Sequence, residues 1–327
     1  MFGRFEIRHL NKPTEIHQRV IPINSDNLLA LSEQADLGLK GPDQAMWLAR
    51  LEEQHDNSCA LLSRCIEERD AEQALRLCSA LQAFWRLRNH IKQGLDLSRS
   101  ALELDASAHD LTLRAKVLNG TGILARMCGD YKFAKDCHEQ SMAIRCEIGD
   151  KPGMASSFTG LGNLLFEEGN YPAARYCFEQ SMAIKVDLGD SAGVGGSLNN
   201  LGYTAFRAGD CETAGQHYTK SLEIWRNLGN LQNIGLSLQG FAEVAAAQLD
   251  WERAVLLWGA SGAIRDRNGA GLLPGEQQAM DQELAVARNS IGEEQFNTLW
   301  QSGQAMDVEQ AVEYALAEAH ATIFQPK

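Results

Sequence analysis

The sequence predicts an all-α fold, a right-handed superhelical solenoid of stacked helical hairpins. One observation is a phrase written twice: EQSMAIRCEIGD over 139–150 returns as EQSMAIKVDLGD over 179–190, at a spacing of 40 residues. Another is the punctuation between such phrases. Gly129-Asp130, Gly149-Asp150, Gly169-Asn170, Gly189-Asp190, Gly209-Asp210 and Gly229-Asn230 divide the chain into segments of equal length, with Leu249-Asp250 in the next slot. Glycine ends a helix by entering the left-handed region, and Asp or Asn caps the helix that follows. The third is composition: only 7 prolines in 327 residues, with abundant Ala, Leu, Glu and Gln, favours helix over sheet.

Taken in chain order, residues 1–25 carry four basic and two acidic residues and read as a tail or a remnant strand. Residues 26–69 are expected to form N-terminal capping helices, since the end units of a solenoid must meet water on one face. Residues 70–109 read as a degenerate repeat. Asn89-His90 stands 40 residues before Gly129-Asp130, Ala101, Leu102 and Leu104 align with Ser141, Met142 and Ile144, and Phe84 and Trp85 add bulk. Full repeats follow over 110–149, 150–189, 190–229 and 230–270.

Within them Ala134, Ala174, Ala214 and Ala254 keep one phase, and Ile144, Ile184, Ile224 and Ile264 another. Gly122, Gly162, Gly202 and Ala242 fall mid-way along each first helix. An internal glycine costs about 1 kcal/mol relative to alanine, so its recurrence implies a close helix approach. The register breaks at NGAGLLPGE (268–276), a turn-rich loop. Residues 271–319 are expected to cap the C-terminal end with helices near 275–290, 293–302 and 308–319, the last opened by Asp307. Residues 320–327 form a tail.

The series Phe158-x2-Leu161-Gly162-x2-Leu165 followed by Ala174-x3-Phe178, repeated as Leu198-x2-Leu201-Gly202 and Ala214-x3-Tyr218, resembles the tetratricopeptide repeat in an extended 40-residue form. A second resemblance lies in DQAMWLARLEEQHDN (43–57), in residues 68–104 and in GEEQFNTLWQSGQAMDVEQAVEYALAE (292–318). These are similar to the C-terminal helical sensor region of bacterial signal-transduction ATPases and LuxR-type regulators. The resemblance spans roughly residues 27–318 and implies a role in signalling or transcriptional regulation. The chemistry-bearing parts of those proteins are missing: there is no GxxxxGK[ST] phosphate loop and no basic helix-turn-helix.

The tetratricopeptide resemblance implies that first helices line a concave groove, in rows 40 residues apart. One row is Arg76, Lys116, Ser156, Gly196 and Leu236; a second is Ser79, Asn119, Thr159, Asn199 and Gln239. Others are Ala83, Ile123, Asn163, Tyr203 and Glu243, and Arg86, Arg126, Phe166, Phe206 and Ala246. The amide and hydroxyl row is expected to hold the backbone of an extended peptide, because such groups donate and accept. Arg76, Arg86, Lys116 and Arg126 are expected to form a cationic mouth for an acidic peptide or phosphorylated ligand. The alternative is that they solvate a helical surface. Tyr203 and Phe206 would add apolar contact. Chaperone-tail binding is excluded, since Gly160 and Gly196 stand where that clamp needs donors.

The expected function is a non-catalytic scaffold for a protein or peptide partner. A small-molecule inducer sensor and an adaptor self-assembling through Trp251 and Trp258 are the alternatives. The net charge of −13 argues against coating nucleic acid or anionic membrane. The eight cysteines form no CxxC pair, the N-terminal residues are polar and charged, and no apolar run approaches the ~18 residues of a membrane span. A reduced cytoplasmic setting is expected. No nucleophile stands with a base: His138 and His217 read as structural, Glu167-Glu168 as a solvated helix end, and GVGGS (193–197) lacks the strand that would make it a phosphate loop. Neither cofactor nor metal is expected.

Overall fold

The computed structural model describes residues 25–39, 41, 43–104, 110–267 and 274–323. Among them are fifteen helices and no strand. Paired in sequence, α1 (Ser25–Gly38) and α2 (Gln44–Glu67) precede α3 (Ala71–Leu87) and α4 (Ile91–Leu102). Four regular hairpins follow: α5 (Leu111–Met127) with α6 (Tyr131–Ile148), α7 (Lys151–Glu167) with α8 (Tyr171–Asp187), α9 (Ser191–Arg207) with α10 (Cys211–Leu228), and α11 (Leu231–Ala247) with α12 (Trp251–Arg267). The chain ends in α13 (Pro274–Ile291), α14 (Glu293–Ala305) and α15 (Val308–Ile323). The predicted tails at 1–25 and 320–327 and the loop at 268–276 lie largely outside the described residues.

The Gly-Asp punctuation works as its chemistry requires. Gly129 and Gly169 sit at φ 79° and 76°, and the next residue caps the following helix: Asp130 Oδ1 accepts from the Phe133 N–H at 3.2 Å, and Asn170 Oδ1 from Ala173 at 3.3 Å. Where the pattern lapses the geometry persists. Leu249 takes φ 64° without the freedom of glycine.

Each hairpin is closed by a ring. His138, Phe178, Tyr218 and Trp258 occupy one phase of the 40-residue period, and all are buried. The first three lie over the small residue of their own first helix. A Cβ on Gly162 would stand 2.6 Å from Phe178 Cε1, one on Gly202 2.7 Å from Tyr218 Cε1, and one on Gly122 2.8 Å from His138 Cε1. That is the close approach implied by the recurring glycine.

The repeated EQSMAI phrase also has a structural job. Ser141 Oγ donates to Ala115 O at 2.8 Å; Ser181, Ser221 and Ser261 donate to Ala155, Gly195 and Gly235 at 2.9 Å, each 26 residues upstream. Every regular hairpin is thus stitched by the same buried bond. Ala101 holds the equivalent place in the α3–α4 hairpin and cannot make it. Basic side chains then link one repeat to the next, as Arg145 donates to Ser157 Oγ at 2.9 Å and Lys185 to Ser197 Oγ at 3.0 Å.

The two ends do more than cover the stack. Helix α1 packs on α3, with Leu28, Leu29 and Ala35 buried. At the other end α14 packs on α12 so closely that a Cβ on Gly303 would meet Leu256 O at 2.2 Å. Helix α15 touches α10, α11 and α12. The Asp307 cap forms as expected, accepting from the Gln310 N–H at 2.8 Å.

Candidate functional site

An open cavity of about 690 Å³ lies between α9, α11 and α13. Asn199, Tyr203 and Phe206 reach it from α9, and Leu236, Gln239 and Glu243 from α11. Ala279, Met280 and Glu283 of α13 form the facing wall. A smaller cavity of about 240 Å³ adjoins it, sharing Asn200 and Tyr203 and lined also by Arg126, Asn163 and Phe166. Eight of the thirteen groove residues expected from sequence therefore gather in one region: Arg126, Asn163, Phe166, Asn199, Tyr203, Phe206, Gln239 and Glu243.

The spacing explains the gathering. Phe166 and Tyr203 sit on successive first helices, and their rings meet at 4.9 Å between centroids. The Arg207 guanidinium stands 5.7 Å from the Phe166 ring and 5.9 Å from that of Tyr203, and donates to the Tyr203 hydroxyl at 3.3 Å. Tyr203 remains 39% exposed at the junction of the two cavities. Below it, the Glu243 carboxylate accepts from Gln239 Nε2 at 3.1 Å, while Gln239 Oε1 accepts from Arg265 at 2.7 Å. Burial pushes the Glu243 carboxyl above its ordinary range; the Gln239 bond and nearby Arg207 oppose that, and Glu283 adds to it.

The remaining five residues, Arg76, Arg86, Lys116, Asn119 and Thr159, lie toward the N-terminal end, and two expectations for that end need correction. The cationic mouth is already matched with carboxylates. Arg76 makes a two-pronged pair with Glu33 of α1 at 2.8 and 3.0 Å, Lys116 pairs with Asp36 of α1 at 2.9 Å, and Arg126 pairs with Glu167. An acidic helix of the chain itself covers the face expected to receive an acidic peptide. Arg86 alone of the four is exposed with no ion pair among the described residues.

The polar row is likewise committed. Asn119 Oδ1 lies 3.1 Å from His138 Nδ1, Thr159 Oγ1 bonds Ala155 O and Ser181 Oγ, and Asn199 Oδ1 accepts from Ser237 Oγ at 2.9 Å. These groups knit helices together before any peptide arrives. Buried polar atoms need partners, and His138 and Ser181 of second helices and Ser237 of the next first helix supply that need. A third correction concerns one residue expected to serve self-assembly: Trp258 is 1% exposed and offers no aromatic face, whereas Trp251 is half-buried and packs partly on the same core.

His138 is fully buried, and its pKa is held down to about 4, first by burial and then by Arg126 and Arg145. With Nδ1 facing Asn119 Oδ1, its Nε2 has no partner among the described residues, so protonation there would strand a charge in the core. Cys137 and Cys177 are buried, whereas Cys128 and Cys146 are exposed. No group of three or more His, Cys, Asp or Glu among the described residues could hold a metal ion. No helix among them is long and apolar enough to cross a membrane.

Sequence reasoning missed Arg207, Asn200, Met280 and Glu283. Arg207 stands four residues after Tyr203, a helical spacing that brings it beside that ring. Met280 and Glu283 lie past the break in register, where no period points to the groove.

Residues 113–185 and 194–257 match the tetratricopeptide repeat family. No curated protein matches the chain. Among solved structures, BtubC (BKLC) from P. vanneervenii is 19% identical over 67% of this chain and 94% of its own, with a TM-score of 0.55. The apo form of RapI is 12% identical over 91% of this chain and 98% of its own, with a TM-score of 0.55. A signal transduction ATPase with numerous domains that carries a tetratricopeptide repeat sensor, from Pyrococcus horikoshii, is 13% identical over 91% of this chain and 51% of its own, with a TM-score of 0.54. The chain is thus an all-α solenoid of tetratricopeptide-type hairpins, with further helices packed on both ends.

Proposed function

We propose that this chain is a non-catalytic scaffold that binds a peptide segment of a partner protein in the cavity between α9, α11 and α13. The observation that carries the reading is the open shelf of Phe166, Tyr203 and Phe206 beside a cavity of about 690 Å³. Aromatic rings lining a concave site with a few convergent polar groups fit a binding role, and the Asn200 side-chain amide together with Asn199 Nδ2, which make no hydrogen bond among the described residues, supplies polar groups for a peptide backbone. A place in signalling or transcriptional regulation rests on the resemblance of residues 43–104 and 292–318 to regulatory sensor arms.

A peptide-display selection against the full chain tests this. Selected peptides should bind the wild type and lose about tenfold or more in affinity to Tyr203→Ala, as expected when a buried aromatic anchor is truncated. Peptides indifferent to Tyr203→Ala and to Phe206→Ala would refute the site. A small-molecule sensor is the second reading, favoured by the wall that α13 adds to the cavity. A metabolite that raises the melting temperature of the chain alone would support it.

A further inference from the structure

We infer that the α9–α11–α13 cavity selects a positively charged group, a lysine or arginine side chain of the bound peptide, through Glu243 with Glu283 at its rim. The inference rests on the peptide-binding reading above and reverses the sign of charge first expected for the partner.

The polar inventory of the cavity supports it. Glu243 projects from α11 among Tyr203, Tyr218 and Phe206, and no cation pairs with it among the described residues; its one hydrogen bond there comes from the neutral Gln239 amide. Glu283 lines the same cavity from α13 and is exposed, also without an ion pair among the described residues. The cations near this corner face elsewhere. Arg207 lies against the Phe166 and Tyr203 rings and bonds the Tyr203 hydroxyl, while Arg265 is directed to Gln239 Oε1 and Ser261 Oγ.

A carboxylate held mostly out of water with no ion pair among the described residues is costly. That cost is removed when a ligand brings the charge, and here the ligand's cation would also meet the faces of aromatic rings, whose quadrupole attracts it. The contrast with the N-terminal end is direct: there Glu33 and Asp36 already neutralise Arg76 and Lys116. At the C-terminal corner Glu243 and Glu283 have no ion pair among the described residues.

The test uses the full chain, peptides chosen from a random heptapeptide display library, and calorimetric titration. Selected peptides should be enriched in Arg or Lys. Replacing that residue by neutral, near-isosteric citrulline (or norleucine for Lys) should weaken binding to the wild type by about tenfold or more, in the range measured for close charge pairs. The same replacement should change affinity for Glu243→Gln by less than threefold, because the partner charge is gone; Glu283→Gln serves as a milder rim variant.

Arginine amide alone, titrated in parallel, separates the sources. Affinity equal to that of the peptide assigns the subsite to a small amine and overturns the peptide side-chain assignment; much weaker affinity supports it. Peptides that bind through Tyr203 without basic enrichment, and with no response to Glu243→Gln, overturn the charge inference while leaving the peptide-binding reading intact. Failure to select any Tyr203-dependent peptide overturns both.

Discussion

Gly162 and Gly196 lie in the first helices of neighbouring repeats, and alanine at each should have opposite effects. Mid-helix Gly→Ala gains about 1 kcal/mol from backbone entropy where space allows. At Gly196 nothing lies within 4 Å of the new Cβ, so the full gain is expected. At Gly162 the Cβ would stand 2.6, 2.8 and 3.0 Å from three atoms of the Phe178 ring, which is itself buried. Overpacking of this kind costs roughly 1–3 kcal/mol, and a ring wedged between helices cannot swing away. Gly162→Ala should therefore destabilise by up to about 2 kcal/mol net, once the entropic gain is subtracted.

Urea unfolding followed by circular dichroism gives the sign. Native-state hydrogen exchange should localise the loss to α7 and α8, since each repeat contacts mainly its neighbours. Phe178→Leu introduced into Gly162→Ala should recover part of the loss. If Gly162→Ala stabilises as much as Gly196→Ala, the glycine phase has nothing to do with ring packing and the account of the repeat is wrong.

Other outcomes follow from the same contacts. His138 titrates near 4 in the folded chain against a usual value of 6.5, so between those values the unfolded state holds more protons and stability falls as pH drops. The contribution is present above pH 6.5 and amounts to about 3 kcal/mol lost by pH 4. His138→Phe, placing the ring type of Phe178 in this slot, should flatten that part of the stability-versus-pH curve; an unchanged slope would remove His138 as its source. Leu249→Gly should raise the urea midpoint by the equivalent of about 1 kcal/mol, because Leu249 sits at φ 64° and is 72% exposed. Ser181→Ala should cost about 1 kcal/mol by removing the bond to Ala155 O, and a neutral result would make the repeated serine a passenger.

Much of the fold was legible because its signals are local. A glycine in the left-handed region followed by a capping Asp depends on two adjacent residues, and it places Tyr131–Ile148 or Cys211–Leu228 without knowledge of anything distant. The site was legible in part. Tyr203 and Phe206 could be found because a first-helix phase repeats, but the partners of Asn119, Thr159 and Asn199 lie 19, 22 and 38 residues away on other helices. A row of amides looks the same in sequence whether it waits for a peptide or is already bonded.

The occupant of the cationic end was hidden for a related reason. Glu33 and Asp36 pair with residues 43 and 80 positions downstream, and α1 carries no copy of the repeat to betray its docking. Helix α13 escaped notice because it follows the register break, and its role as a wall depends on how the chain turns back after α12.

The central claim, that partners enter the α9–α11–α13 corner, is tested most directly by photo-crosslinking. A selected peptide carrying a photoreactive residue is bound to the wild-type chain, irradiated, and its attachment points are read by mass spectrometry. The account predicts crosslinks to residues such as Tyr203, Leu236 and Met280, with crosslinking abolished by Tyr203→Ala. Attachment to the second helices α8, α10 and α12 away from this corner, with Tyr203 untouched, would contradict it.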